Sequence, residues 1–505
     1  MNKKAIVSIE RGHVIGEISK NLFGSFIEHM GRTVYTGIYE PDHPFADEDG
    51  FRKDVIDLVK ELQVPLVRYP GGNFVSGYRW QDGIGPKENR PRRLELAWRS
   101  IETNQVGIDD FAKWAKKTGC DVMPAVNMGT GQPQDAADLV EYCNFSGGTY
   151  WSDMRRENGQ ETPYGFKNWC IGNEMDGDWQ ISHLTAQEYG RKACEAIKMM
   201  KWVDPTIKTT VVGSSSAQMP TYPEWDRIVL EHTYDVADYL SLHQYYGFNP
   251  VKDNENDYLH SYVNMDAFIQ SIVATTDYVK AYKRSKKTMM LSFDEWNIWH
   301  NHLPNPPGSE WAIAPHLLEN QYDVKDALLF SGMMMTLINH ADRVKVGCMA
   351  QLVNVIAPIL TRPGGEVLKQ TIFYPYKAGC TYAKGCALKT KVSSPMVETV
   401  YGDTTVIYSA ASYQEESGEL TLFLLNTGKD KICTELKIEG FEHLVLKEHQ
   451  MLSGELNAKN TFEQPEQITM TVNEKQEEYE RGALVEMEGY SFHVFRYSEC
   501  ERKEF

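Results

Sequence analysis

The feature that most constrains this chain is a series of eight short apolar runs between about residue 20 and residue 355. Turn residues bound each run, and segments with apolar residues at the three- and four-residue spacing of helices, such as FRKDVIDLVKELQ, lie between the runs. Eight strands that alternate with helices predict an α/β fold, a (β/α)8 TIM barrel. The runs are LFGSFIEH, PLVRYPGG, DVMPAVNMG, KNWCIGNE, TTVVGSSS, YLSLHQYY, TMMLSFDEW and VKVGCMAQLVN.

An open, doubly wound sheet is the main alternative fold. It would be expected to carry a Gly-rich phosphate-binding turn after its first strand, and the sequence has no such turn. Gly71 and Gly72 do follow the second run, but without the GxGxxG spacing. They predict a sharp turn or a close approach of the backbone to a ligand.

The character of the sequence changes after about residue 385. Segments such as GELTLFLLNTG and YSFHVFRYS are β-branched or alternate polar with apolar residues, which predicts an antiparallel, jelly-roll-like β-sandwich of about 120 residues. The first segment, KKAIVSIERGHVIGEIS, predicts a strand, a turn and a strand. We expect residues 1–20 to join a sandwich of residues 385–505, with the barrel at residues 21–384 between them.

Charge and composition narrow the possible ligands. Seventy acidic and 52 basic residues leave a net charge of −18, which opposes non-specific binding to nucleic acid or anionic membranes. No apolar stretch is long enough for a secretory signal or a membrane span, so we expect a cytoplasmic protein. The nine cysteines lack CxxC spacing and predict no zinc site. We therefore expect a neutral ligand, no metal and no cofactor.

Two glutamates end runs on opposite sides of the predicted barrel. Glu174 ends the fourth run and Glu295 ends the seventh, and the active site of such a barrel lies at the carboxyl ends of its strands. Facing carboxyl groups support glycoside hydrolysis, in which one protonates the leaving oxygen while the other attacks or activates water. Either glutamate alone could be a salt-bridge partner, but the two together favour catalysis.

The sequences around these glutamates resemble known enzymes. Asn173-Glu174 after strand four and Glu295 after strand seven resemble the clan A glycoside hydrolases. Longer segments resemble glycoside hydrolase family 51, the α-L-arabinofuranosidases, and this resemblance covers essentially the whole chain. Five motifs occur in the order of the family: GSFIEHMGRTVYTGIYEP, LVRYPGGNFVSGYRWQDGIGP, WCIGNEMDG, SLHQYYG and SFDEWNIW.

The resemblance implies roles for the two glutamates. Glu174 matches the general acid/base and Glu295 the nucleophile of a retaining double displacement. Burial and the ionised partner should raise the pKa of Glu174, which must be protonated when the substrate binds. Arg68 and Tyr245 match the positions that stabilise the Glu295 carboxylate.

The resemblance also implies a set of sugar-binding residues. Asn173 would contact the 2-hydroxyl of the sugar, and Trp98 and Trp299 are candidate walls of the cleft because a flat ring covers the apolar face of a sugar. Ordinary structural roles remain open for Asn73 as a turn residue, for His243 as a packed or orienting side chain, and for both tryptophans. The complete set of predicted substrate-binding residues is Glu28, Arg68, Asn73, Trp98, Asn173, His243, Tyr245, Trp299 and Gln351.

The implied function is an exo-acting α-L-arabinofuranosidase. Such an enzyme removes terminal non-reducing arabinofuranosyl residues from arabinan, arabinoxylan and their oligosaccharides, and the family resemblance implies a homo-oligomer, a hexamer. Another clan A glycosidase, a β-xylosidase or an endoglucanase, is one alternative. A carbohydrate-binding protein that has lost catalysis is the other, although both carboxylates are present in the sequence.

Overall fold

The computed structural model describes residues 3–499, and its centre is an eight-stranded parallel barrel. Each strand pairs with the next along the chain except the third and fourth, which share one isolated bridge, and the eighth pairs with the first. Strands three and four meet where the Val126 N–H donates to the Cys170 carbonyl at 2.9 Å. Every predicted run overlaps one strand, so the TIM barrel is confirmed. Barrel strands one to eight are Gly24–Phe26, Leu66–Tyr69, Asp121–Pro124, Asn168–Ile171, Lys208–Val211, Tyr239–Tyr246, Met290–Ile298 and Val344–Ala350.

Ten α-helices in the described residues surround the barrel or connect its parts. Helix α1 has the amphipathic pattern predicted from the sequence. Its buried residues Val55, Ile56, Val59 and Leu62 share one face. The helices α1 to α10 are Lys53–Leu62, Ile108–Thr118, Pro133–Asn144, Tyr150–Glu157, Ala186–Val203, Glu224–Thr233, Glu255–Leu259, Tyr262–Tyr282, Val324–Asn339 and Phe373–Tyr382.

The connection from strand two to α2 is the longest structured loop at the barrel mouth. It contains three 3-10 turns, Asn73–Gly77, Trp80–Gly83 and Lys87–Asn89, and a hairpin of Arg93–Glu95 with Ser100–Glu102. Two further hairpins pair Ile359–Thr361 with Val367–Lys369 and Met396–Thr399 with Gly402–Thr405.

Side-chain alternation along the strands separates two packed layers. In strand four, Cys170 belongs to the cluster inside the barrel, whereas Trp169 and Ile171 pack in the layer of strands and helices outside it. Strand six alternates in the same way and directs Leu240 and Leu242 outward. The polar residues at odd positions of that strand, including His243, therefore face the interior.

The two chain ends form one nine-stranded sheet. The N-terminal strand Lys3–Glu17 pairs antiparallel with Cys386–Ser393 and parallel with Ile432–Glu439. The predicted turn in this segment is wrong, because the strand continues through a bulge between Ile9 and Val14. The expectation of a purely antiparallel sheet is also wrong for this one parallel pair. The remaining strands are Ile407–Gln414, Glu419–Asn426, Leu444–Ser453, Thr471–Glu478, Leu484–Met487 and Ser491–Glu499.

The sheet domain has its own core and shares a second one with the barrel. Leu420, Leu422 and Leu424 pack in the core of the sheet domain, while Phe423 and Leu425 on the opposite face of the strand join the large barrel cluster. Because successive side chains of a strand point to opposite faces, this one strand contributes residues to both cores. None of the helices in residues 3–499 has the length and apolar character needed to cross a bilayer.

Candidate active site

A bulge in barrel strand seven directs two successive carboxylates into the barrel. Ser292 pairs with Ser241 and Glu295 pairs with His243, so strand seven has one residue more than strand six over this stretch. The extra residue shifts the alternation of side chains by one position. Phe293 and Trp296, three positions apart, therefore both pack outside the barrel. Asp294 and Glu295 therefore both reach the polar groups of the interior.

Glu295 is held by two donors. The Arg68 guanidinium donates to Glu295 Oε1 at 2.6 Å, and the Tyr245 hydroxyl donates to Oε2 at 2.7 Å. Both donors lie on the interior faces of their own strands, and Arg68 is almost fully buried. The carboxylate therefore accepts one charge-assisted and one neutral hydrogen bond.

Glu174 follows strand four in a strained backbone conformation. Its φ is +42°, in the left-handed region that non-glycine residues rarely adopt, and Gly172 just before it has a φ of +93°. Its carboxyl group accepts hydrogen bonds from His243 Nδ1 at 2.9 Å and from Trp179 Nε1 at 2.9 Å. Burial raises the pKa of Glu174, and the charge of Glu295 raises it further, against the opposing hydrogen bond from His243.

His243 lies between the carboxylates. Its Nδ1 is 3.6 Å from Glu295 Oε2, and its Nε2 is 3.6 Å from Asp294 Oδ1. Burial alone would lower the pKa of His243, but the charges of Glu295 and Asp294 outweigh it and raise the pKa to about 10. The raised pKa favours the charged imidazole, which is hydrogen-bonded to Glu174 and lies close to Glu295.

The two glutamates are close together. Glu174, His243 and Glu295 each offer one polar atom, and these atoms lie within 4.8 Å of one another. A cluster of this composition has the spacing of a metal site, but the Arg68 guanidinium and the imidazolium already supply two positive charges to it. The arrangement suits two carboxyl groups that act on one bound molecule.

Several predicted sugar-binding residues form a connected wall beside this pair. Asn173 accepts from Arg68 at 2.7 Å and donates to Asn73 at 3.1 Å. The Trp98 indole donates to Glu28 Oε1 at 2.9 Å, and the Phe74 N–H donates to the same oxygen at 2.9 Å. Burial raises the pKa of Glu28 to about 8, which leaves this carboxyl protonated at neutral pH.

Two other predicted residues have more indirect positions. Gln351 is buried, and its amide oxygen accepts the Glu28 backbone N–H at 2.8 Å, so it holds Glu28 in position. Trp299 is half-buried and meets the Tyr245 ring edge-on, with the ring centroids 5.9 Å apart. Trp299 thus packs against Tyr245, the side chain that donates to Glu295.

Three residues of the site were not predicted from the sequence. Trp179 donates to Glu174, Asp294 lies 3.5 Å from Arg68 Nε, and the Cys170 thiol donates to Asp294 at 3.4 Å. Asp294 was visible as the neighbour of Glu295, but simple alternation directs it to the opposite face. Trp179 follows the WCIGNEMDG motif by two residues and has no periodic signal of its own.

Gly72 provides a test of the wall that holds Glu28. A Cβ atom at this position would overlap the Glu28 carboxylate. We expect Gly72→Ala to displace Glu28 and to lower kcat/KM about 10²-fold on an activated aryl glycoside, as misplacement of a contact group by about 1 Å does. Gly12→Ala is the matched control, because an added Cβ there has no heavy atom within 4 Å. Equal activity of the two variants would contradict this role of Gly72.

Comparison with known proteins agrees with the site. The Alpha-L-arabinofuranosidase 1 domain matches residues 58–286, and the Alpha-L-arabinofuranosidase C-terminal domain matches residues 294–491. The second match begins within barrel strand seven, so it includes the last part of the barrel and most of the sheet domain. Together the two matches extend over most of the chain.

Individual relatives match over nearly their whole length. The intracellular exo-α-(1→5)-L-arabinofuranosidase 1 of Bacillus subtilis (strain 168) is 54% identical over 452 residues, 89% of this chain and 90% of that protein. The intracellular exo-α-(1→5)-L-arabinofuranosidase of Halalkalibacterium halodurans is 51% identical over 472 residues, 93% of this chain and 94% of that protein. The solved family 51 α-L-arabinofuranosidase of Bifidobacterium longum has a TM-score of 0.91 and 40% identity, covering 97% of this chain and 99% of that one.

A barrel with facing carboxyl groups at strands four and seven, together with these matches, defines a glycoside hydrolase. The identity over nearly the whole length then assigns the family. The chain belongs to the family 51 α-L-arabinofuranosidases.

Proposed function

We propose that this enzyme is a retaining, exo-acting α-L-arabinofuranosidase that works by double displacement. The observation that carries the proposal is the pairing of Glu295, held by Arg68 and Tyr245, with a partly buried Glu174 that has a carboxylate oxygen within 4.8 Å of a Glu295 oxygen. Retaining enzymes have carboxyl groups about 5 to 5.5 Å apart, whereas inverting enzymes need about 6.5 to 9.5 Å to admit a water. Nearest oxygens within 4.8 Å are compatible with the shorter separation of a retaining enzyme.

In the first step, a Glu295 oxygen attacks the anomeric carbon while Glu174 gives its proton to the leaving oxygen. The bond to the leaving group breaks, and an ester between the sugar and Glu295 forms. Esterification removes the charge of Glu295, which is one of the causes of the raised pKa of Glu174. The pKa of Glu174 then falls, so Glu174 can deprotonate the water that hydrolyses the ester.

We assign the sugar-binding wall to the furanose ring. Asn173 lies next to Arg68 and Asn73, where its amide can reach the 2-hydroxyl of a sugar bound at Glu295. Both donors to Glu28 use Oε1, so the proton of this carboxyl can reside on Oε2 and be donated to a sugar hydroxyl. Trp98 and Trp299 would cover the apolar faces of the sugar.

The substrate and setting follow from the relatives. Because two relatives at 51% and 54% identity are named intracellular exo-α-(1→5)-L-arabinofuranosidases, we propose an α-(1→5) linkage and a cytoplasmic location. Arabinan, arabinoxylan and their oligosaccharides are the proposed sources of the terminal residue. We also propose a homo-oligomer, a hexamer of the 57.7 kDa chain.

A panel of glycosides tests the activity. We expect an aryl α-L-arabinofuranoside to exceed an aryl β-xyloside or β-glucoside by at least about 10²-fold in kcat/KM, because the wall is shaped for hydroxyls of one ring form. Linear (1→5)-arabino-oligosaccharides should lose one arabinose at a time, and NMR should detect the α-anomer first. A preference for xyloside would favour the β-xylosidase alternative, and an inverted product would exclude Glu295 as the nucleophile.

A further inference from the structure

A buried carboxyl group that the chemistry above does not use lies two residues beyond Glu174. Asp176 is only 8% exposed, although it belongs to the loop between strand four and α5. Its Oδ1 accepts the Ser215 hydroxyl at 2.6 Å, and its Oδ2 accepts the Ser215 backbone N–H at 3.0 Å. Ser215 lies in the loop after strand five, so Asp176 joins the loops that follow two neighbouring strands.

The backbone between these two acidic residues forms a tight, strained turn. Glu174 has a φ of +42°, and its carbonyl accepts the Gly177 N–H at 2.9 Å, which closes the turn around Met175 and Asp176. A non-glycine residue keeps such a conformation only where surrounding contacts hold it there. The Trp179 ring lies against Gly177, where an added Cβ atom would overlap it. The turn therefore sets the positions of both Glu174 and its donor Trp179.

The two bonds of Asp176 fix the direction of this turn. Hydrogen bonds depend on direction, whereas apolar contacts in the same turn do not. The loop that carries Ser215 is in turn joined to strand six, because the His243 N–H donates to the Ser214 carbonyl at 3.4 Å. The His243 imidazole then donates to Glu174. Asp176 thus connects the backbone that carries Glu174 to the strand that carries the donor to its carboxyl group.

We propose that Asp176 is a positioning residue for the acid/base: its bonds to Ser215 hold the strained turn so that the Glu174 carboxyl points at the leaving oxygen. This inference rests on the proposed function of Glu174. Asp176 itself touches neither the sugar nor the reacting atoms and acts only through the turn. Loss of its bonds should therefore impair proton donation to the leaving group and leave the attack by Glu295 largely intact.

Two substrates that differ in their need for a proton test this role. Phenyl α-L-arabinofuranoside has a poor leaving group, whereas the leaving group of its dinitrophenyl analogue departs without a proton. We define R as kcat/KM on the first substrate divided by kcat/KM on the second. We expect Asp176→Ala to lower R about 10-fold, because a displaced general acid loses part of its roughly 10²- to 10⁴-fold contribution. A general loss of folded enzyme lowers both rates equally and leaves R unchanged.

Two variants are matched controls. Asp176→Asn keeps a carbonyl oxygen for the Ser215 N–H and an amide that can donate to the Ser215 hydroxyl, so it should restore most of R. Asp226, in the first turn of α6, accepts the backbone N–H and the hydroxyl of Ser214 in the same way. Asp226→Ala should keep R unchanged, because Asp226 does not lie in the turn that carries Glu174.

The outcomes separate this role from the proposed function. Glu174→Ala should lower R at least about 10²-fold, and an unchanged R would overturn the proposed acid/base itself. If Glu174→Ala lowers R but Asp176→Ala does not, or if Asp226→Ala lowers R equally, the positioning role alone is overturned. Should Asp176→Ala fail to fold, Ser215→Ala should lower R and Ser214→Ala should not. An equal fall in the two serine variants, or none, would overturn the positioning role.

Discussion

Glu295→Gln is expected to lower kcat/KM on an activated aryl α-L-arabinofuranoside by at least about 10⁴-fold. The amide keeps the shape of the side chain but has no negative oxygen to attack the anomeric carbon, so the covalent intermediate cannot form. Arg68 and Tyr245 each donate a hydrogen bond to one oxygen of the carboxylate. In the amide, the nitrogen would face one of these donors and could not accept its hydrogen bond. Initial rates at saturating and low substrate concentrations measure the loss.

Two controls connect this loss to the chemistry. Glu157→Gln, at the exposed end of α4, should retain full activity. Circular dichroism and cooperative thermal unfolding should show that Glu295→Gln is folded. Residual activity above about one tenth of the original would rule out Glu295 as the nucleophile.

Glu174→Ala is expected to have effects that depend on the leaving group. A natural oligosaccharide needs protonation of its leaving oxygen, so its kcat/KM should fall about 10²- to 10⁴-fold. An aryl group that leaves without a proton should be less affected in the first step, but the intermediate should then accumulate because no base activates water. Rapid-mixing experiments with the aryl substrate should therefore show a burst followed by slow turnover.

Added azide distinguishes the roles of the two glutamates. In Glu174→Ala, azide should attack the accumulated intermediate and yield an arabinofuranosyl azide of retained configuration. In Glu295→Ala, azide would replace the lost nucleophile and yield the inverted azide. If both variants gave the same anomer, or if azide accelerated neither, the assignment of the acid/base and the nucleophile would be wrong.

Most of the fold was predictable from local patterns. Apolar runs and amphipathic helices such as α1 repeat eight times, and the alternation of strand and helix leaves few topologies open. The N-terminal strand was harder, since Gly12 predicts a turn in isolation. In the structure it lies in a bulge that two neighbouring strands stabilise, one of them parallel. Such pairing joins residues at least 369 positions apart and has no local signal.

The site was predictable where a residue ends a strand in a characteristic motif. Glu174, Arg68 and Tyr245 belong to this group, and the structure brings them into one network. Trp179 and Asp294 were not predictable, because their roles depend on where a loop folds back and on the phase of a bulged strand. Gln351 was assigned to the sugar, but the structure directs its amide oxygen to the Glu28 backbone.

The sequence by itself determined the barrel, the sheet domain formed by both chain ends, and the two glutamates at strands four and seven. These features follow from residue types and short-range periodicity, which act within one element. Only the tertiary structure decided that Asp294 and Glu295 both face the interior, and that the pKa values of His243 and Glu28 are raised. Burial and neighbouring charge decide such properties, and both arise only when distant segments pack together.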